Sequence, residues 1–160
     1  MKYKRAVELL EKVFEELPDN IELTKGGSGD LALAHHLGHE LVDGDKGADA
    51  SSEDKLFEYK VSTTNTFNFH FGTRKKMVPS KAQLDAGAAA TWQDTILNKF
   101  SNVAGAYCAN RVGMKITEVA YCPCDILVPV LIQHFERTTG QQLNKSFSMN
   151  TFRKLTENNS

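Results

Sequence analysis

The sequence offers little that would place it in a membrane, outside a cell or on a disulfide scaffold. Met1-Lys2-Tyr3-Lys4-Arg5 is charged, but Glu-rich helical sequence follows it where a secretory leader would have an apolar core, so a cytoplasmic location is expected. The longest apolar run, Ile126 to Ile132, is broken by Pro129 and is far shorter than the roughly 20 residues that span a bilayer, which predicts no membrane role. Three cysteines, an odd number, predict free thiols and no disulfides. A net charge of −1 provides no basic coat for sequence-independent binding of nucleic acid. It does not exclude DNA, because carboxylates gathered at a metal site offset basic residues elsewhere. Internal repeats and low-complexity segments are also missing.

What is present describes an ordinary globular protein: 160 residues, 41% hydrophobic and 24% charged, with nine Phe. A chain of this size buries about 70% of its unfolded surface in one core. A single domain over 1–160 is therefore expected, with its core in 26–137 and a polar extension over 138–160. Val7, Leu10, Phe14 and Leu17 recur at helical spacing, predicting an amphipathic helix over 4–17 that Pro18-Asp19-Asn20 ends. Gly26-Gly27-Ser28-Gly29 reads as a flexible turn, and Leu31 to Leu37 as a helix closed by Gly38. Glu40-Leu41-Val42 and Gly47 to Ala50 read as one short, interrupted strand. Two clearer strands follow, Leu56 to Thr63 and Thr66 to Gly72, each alternating apolar and polar residues. A β-meander is expected of them.

Beyond a basic loop, Thr73 to Lys76, Ser80 is a candidate cap for a helix from Lys81 into the Ala-rich segment 86–90, and Trp92 to Phe100 for a second helix. Val103 to Ala109 and Met114 to Tyr121 read as strands, and Asp125 as the cap of a helix through Glu136. The segment from Thr138 is mostly polar, with Phe147, Phe152 and Leu155 among its few large apolar residues, and is expected to pack loosely or against a partner. The order of elements predicts an α/β or α+β fold with a central mixed β-sheet flanked by helices.

The residues that suggest chemistry are Asp49, Glu58 and Lys60. If Glu53-Asp54 make a two-residue turn, 50 lies opposite 57, 51 opposite 56 and 49 opposite 58, so Asp49, Glu58 and Lys60 share a face. Hydrolysis of a phosphodiester needs an activated water and charge stabilisation on the phosphate, which hard cations supply. Mg²⁺ is commonly held by only one or two protein carboxylates. A lysine two residues after Glu58 points the same way along the strand and can orient the water or neutralise developing charge.

Asp49, eight intervening residues and Glu58-Tyr59-Lys60 on a strand resemble the signature of the PD-(D/E)xK nuclease superfamily, to which type II restriction endonucleases belong. Asp30, on the preceding helix, resembles the acidic residue that several members carry there. The resemblance covers about residues 26 to 72 and departs from the motif at Ala48, where its name places a proline. It implies a restriction-endonuclease-like core and a Mg²⁺-dependent DNA endonuclease, with Asp49 and Glu58 as metal ligands, the Tyr59 carbonyl as a further ligand, Asp30 at the metal site and Lys60 assisting the nucleophile. Cutting both strands of a duplex implies a homodimer. A junction-resolvase-like or homing nuclease, and a catalytically silent DNA-binding module of the same fold, are the alternatives.

Plainer readings stand beside these. Glu58 and Lys60 would make an ion pair on a solvated sheet face, worth about 0–1 kcal/mol. Asp30 after Gly-Ser-Gly would be a helix N-cap, and Glu40 is a competing acid. His35, His36 and His39 cluster, but adjacent histidines diverge by about 100° around a helix and no cysteine has zinc-ligand spacing to them. Cys108, Cys122 and Cys124 read as structural. His70, Arg74, Lys75 and Lys76, with Lys81 and Arg111 in addition, are the candidate DNA contacts; a structural histidine and a solvated loop are their plain alternatives.

Overall fold

The computed structural model describes residues 3–17, 27–42, 48–74 and 91–158. The expected stop at Pro18-Asp19-Asn20, the helix from Ser80 and Lys81 through 86–90, and Lys75 and Lys76 lie outside the described residues.

In chain order the elements are α1 (Lys4–Glu16), α2 (Ser28–Leu37), β1 (Glu40–Leu41), β2 (Ala50–Ser52), β3 (Lys55–Ser62), β4 (Phe67–Thr73), α3 (Trp92–Phe100), β5 (Val103–Val112), β6 (Lys115–Pro123), α4 (Cys124–Arg137), β7 (Gln142–Phe147) and α5 (Met149–Glu157). The fold is α+β with a mixed central sheet flanked by helices. Five strands form it in the order β1-β2-β3-β5-β6, with β3 and β5 parallel and every other pair antiparallel. No helix among the described residues is long and apolar enough to cross a membrane.

The β2-β3 hairpin follows the expected register, with Ala50 opposite Phe57, Ser51 opposite Leu56 and Ser52 opposite Lys55. Glu53 and Asp54 form its turn at φ 50° and 66°, the double positive φ of a type I′ turn, whose twist suits two flanking strands. Regular pairing ends one step short of Asp49 and Glu58, because the Asp49 N–H bonds the Phe57 carbonyl at 3.0 Å, out of step with the ladder.

Alternation along β3 and β5 divides the core into two layers. Phe57, Tyr59 and Ala109 pack against Ala32, Leu33 and Ala34 of α2. On the other face Ala106, Cys108 and Cys122 meet Ile96 and Phe100 of α3, Leu127, Leu131 and Phe135 of α4, Phe152 of α5, and Phe67, Phe69 and Phe71 of β4. α2 ends as its sequence suggests: Gly38 is left-handed at φ 70°, and the His39 N–H returns to the Ala34 carbonyl at 2.9 Å.

Several expectations need correction. Glu40-Leu41 and Ala50–Ser52 are two antiparallel strands, not one interrupted strand. β4 does not extend the meander; it pairs with β7 in a separate two-stranded ribbon, which leaves the second neighbour of β3 to be β5. Ser28 and Gly29 already belong to α2, so Asp30 stands inside the helix and makes no capping hydrogen bond. Asp125 likewise lies inside α4, which starts after Pro123. The segment from 138 is an integral part of the fold: Leu143, Phe147, Met149 and Phe152 are buried, because β7 supplies the partner of β4 and its own polar residues face outward. All three cysteines are free. Burial raises the Cys122 thiol to about 12 and the Cys124 thiol to about 11, which leaves both protonated at neutral pH.

The turn residues predict a measurable gain. Replacing Glu53-Asp54 with Asn-Gly, which tolerate positive φ, is expected to raise unfolding stability by about 1 kcal/mol, read as a higher urea midpoint at unchanged slope. A lower midpoint would contradict the turn assignment.

Candidate functional site

β3 is a central strand, so the residues on both its faces are covered and an acid at position 58 is forced into the interior. Glu58 is only 5% exposed, the one buried charged side chain among the described residues. Its Oε1 receives the Lys60 ammonium at 3.1 Å and the Lys99 ammonium at 3.5 Å. Lys60 reaches it because residues two apart on a strand share a face, and its ammonium also lies 5.4 Å from the centre of the Phe69 ring. Lys99 comes from α3, which Ile96 and Phe100 anchor in the core. The face carrying Glu58 and Lys60 is therefore packed, not solvated as the plain reading expected.

Asp49 sits where β2 begins. Its Oδ2 accepts the backbone N–H of Tyr59 at 2.8 Å, and its backbone carbonyl accepts the N–H of Val42, just past β1, at 3.0 Å, so the side chain is tied to β3 and the backbone to the exit of β1. Burial pushes its carboxyl pKa up, and the neighbouring charge of Glu58 adds to the rise; the Tyr59 N–H, Lys60 and Lys99 oppose it.

Asp30 approaches from α2. Gly29 lets the helix come this close, since a Cβ there would lie 3.0 Å from that of Val61 on β3. Burial, then the charges of Asp49 and Glu58, raise the Asp30 carboxyl to about 7, while Lys60 and Arg111 pull it down. Asp30 thus feels the charges of Asp49 and Glu58, and Asp49 that of Glu58. They are not gathered into a ready cage: no group of three or more His, Cys, Asp or Glu side chains among the described residues has metal-binding spacing.

Tyr59 turns its ring to the α2 face, where its hydroxyl meets His39 Nδ1 at 2.7 Å and His39 stacks on Phe57 with ring centres 5.0 Å apart. Burial lowers the His39 pKa, and burial raises that of Tyr59, so both are neutral at pH 7. His35 and His36 are exposed near the end of α2, and Glu40 is exposed on β1.

No protein-family model matches the chain, and no curated protein matches its sequence.

Of the expected DNA contacts, His70, Arg74 and Arg111 are among the described residues. His70 is exposed on β4 opposite Asn144 of β7. It is Phe69, on the other face of β4, that meets Lys60, so the two-residue period carries His70 away from the site. Arg74 is a structural clamp: its Nε donates to the Gly140 carbonyl at 2.8 Å and its Nη2 to the carbonyls of Phe135 and Thr138, and its guanidinium lies 5.2 Å from the Trp92 ring centre. Those carbonyls belong to the last turn and exit of α4, where backbone acceptors have no helical partner. Arg111 donates to the Gly113 carbonyl at 3.2 Å.

Sequence reasoning missed Lys99. Its signal was three-residue spacing from Ile96, which puts it at the margin of the buried stripe of α3.

The Asp30 shift makes stability depend on pH. A carboxyl whose folded pKa lies near 7, against 3.8 unfolded, binds a proton more readily in the folded state. Its contribution is complete below the unfolded value and is lost as pH rises through about 7. Asp30→Asn, neutral throughout, is therefore expected to gain stability over the wild type as pH rises from about 5 to 8. Thermal melts of both proteins in chelator across that range would show the difference widening by several degrees; a constant difference would contradict the shift.

Proposed function

We propose that the chain is a Mg²⁺-dependent DNA endonuclease of the PD-(D/E)xK type with a restriction-endonuclease-like core. One observation carries the reading: the β2-β3 hairpin sets Asp49 beside a strand bearing Glu58, Tyr59 and Lys60, with the Asp49 carboxylate bonded to that strand at Tyr59. The surrounding order supports it, with an acid-bearing helix before the hairpin and a later strand parallel to β3.

The chemistry of the donors fits a hard divalent cation. Burial raises the pKa values of Asp49 and Asp30, and the charge of Glu58 adds to both, as that of Asp49 does to Asp30, a crowding of negative charge that such an ion would relieve. Two protein carboxylates, Asp49 and Glu58, suffice when waters and phosphate oxygens complete the shell, and the Tyr59 carbonyl and Asp30 are the further candidates. When bound, the ion supplies charge stabilisation on the phosphate and a water acidic enough to attack. Lys60, fixed two residues from Glu58, orients that water and offsets charge gathering on the phosphoryl oxygens. The water oxygen bonds to phosphorus, the bond from phosphorus to the leaving oxygen breaks, the water's proton passes to solvent and the leaving oxygen takes one up.

Two copies of this site in a symmetric dimer would cut both strands of a duplex. The same chemistry would serve a junction-resolvase-like or homing nuclease, which branched and plasmid substrates separate. A silent DNA-binding module is favoured by one observation, that both ammonium groups already neutralise Glu58.

Incubation with plasmid and branched DNA is expected to give cleavage with Mg²⁺ and none with chelator. Asp49→Asn keeps an acceptor for the Tyr59 N–H and Glu58→Gln keeps the side-chain volume, so both should fold yet lose at least about 100-fold in rate, as expected when a group that organises transition-state charge is removed. Wild-type-like cutting by either would overturn the metal site, and a wild type that binds DNA without cutting would favour the silent module. Lys60→Ala should lower kcat more than duplex affinity; an equal loss in both would make Lys60 a docking group.

A further inference from the structure

We infer that Lys99 is a phosphate-binding residue of this same site, held against Glu58 until a divalent cation takes that carboxylate over. The inference rests on the proposed nuclease reading and adds a residue that the motif does not contain.

The geometry that carries it is the sharing of one carboxylate oxygen by two ammonium groups. Lys60 lies 3.1 Å and Lys99 3.5 Å from Glu58 Oε1, so one negative charge faces two positive ones. Lys60 is the more enclosed of the two, at 26% exposure and with its ammonium near the Phe69 ring, whereas the Lys99 side chain is 36% exposed. The longer and more open contact is the one that yields when a cation competes for Glu58. Lysine suits this exchange, since its ammonium is a compact point charge on a four-carbon stem that can swing while its backbone stays fixed. That backbone is fixed: α3 is anchored by Ile96 and Phe100, both buried, and its start is locked by the Thr91-Asp94 capping box.

A divalent cation at Asp49 and Glu58 would repel both ammonium groups at close range. A phosphodiester bridging to that cation brings the negative charge that re-pairs them. Lys60 is tied to the cation site by its place on β3, so Lys99 is the group left to reach a non-bridging phosphate oxygen from the α3 side. It exchanges one anionic partner, the glutamate, for another, the substrate.

The test uses the full chain with Ca²⁺ as a cation expected to support binding without rapid cutting. Lys99→Met keeps the apolar stem and Lys99→Arg keeps the charge. For Lys99→Met we expect Ca²⁺ affinity by calorimetry, without DNA, to be equal or a few-fold tighter, because a competing ammonium is gone. Affinity for a fluorescent duplex oligonucleotide in Ca²⁺ is expected to fall at least about five-fold, with the salt dependence reduced by about one phosphate contact. Lys99→Arg should restore duplex affinity and slope. A merely structural ion pair would move cation and duplex binding together with the melting temperature, so parallel losses would overturn the role. Unchanged duplex affinity and slope in Lys99→Met, with a wild type that binds Ca²⁺ and cleaves in Mg²⁺, would overturn it while leaving the nuclease reading intact. A wild type that takes up no divalent cation and cuts no DNA would remove the nuclease reading first, and this role with it.

Discussion

A carboxylate in the middle of a covered sheet must find positive charge, and that requirement organises this protein. Glu58 lies on a central strand between two core layers, where an unpaired charge would be far more costly than any single apolar contact repays. Lys60 answers from the same strand and Lys99 from α3, so the docking of that helix and the neutralisation of the acid are one event. Breaking a fully buried ion pair by removing one partner typically costs about 3–5 kcal/mol, less where the lysines are part-exposed as here, yet replacing the whole of such a pair with apolar residues is often neutral or stabilising. Stability alone is therefore a weak reason for a protein to keep it. Acids whose protons are held unusually tightly beside a charged cluster are common at functional sites, and structural ion-pair networks shift carboxyls in the same way.

The other layer works on the same charges from the far side. α2 comes against β3 closely enough, through Gly29, for its Asp30 to feel Asp49 and Glu58. The His39-Tyr59 pair next to it consists of neutral groups and adds no charge to a region already crowded with anions. Asp49 is bonded to β3 through its side chain and its own N–H, and through its carbonyl to Val42 at the exit of β1.

Local signals were legible in the sequence and long-range ones were not. The Glu53-Asp54 turn fixed the pairing of 50 with 57 from two residues alone, and alternation marked β3 and β4 as strands. Gly38 marked the end of α2 because its left-handed backbone suits a residue without a Cβ. The partner of β4, by contrast, lies in β7, near the other end of the chain, and nothing in the alternation of Phe67, Phe69 and Phe71 says which strand will pair with it. The same ignorance made Arg74 look like a surface cation, when its acceptors are carbonyls at the end of α4. It also hid Lys99, whose meeting with Glu58 depends on where a helix docks, not on any local spacing. Burial of Glu58 had the same origin: polar alternation reads as a solvated face until a second layer is known to cover it.

The Arg74 clamp has a topological consequence. By stacking on Trp92 while gripping the exit of α4, it brings positions 74 and 92 within a ring's reach of each other. Two positions well apart in sequence are thereby riveted to one spot beside the end of α4. Loss of the clamp would strip three carbonyls at and beyond the end of α4 of their donor in one step, so a single guanidinium secures a helix terminus, an aromatic ring and the end of a ribbon together.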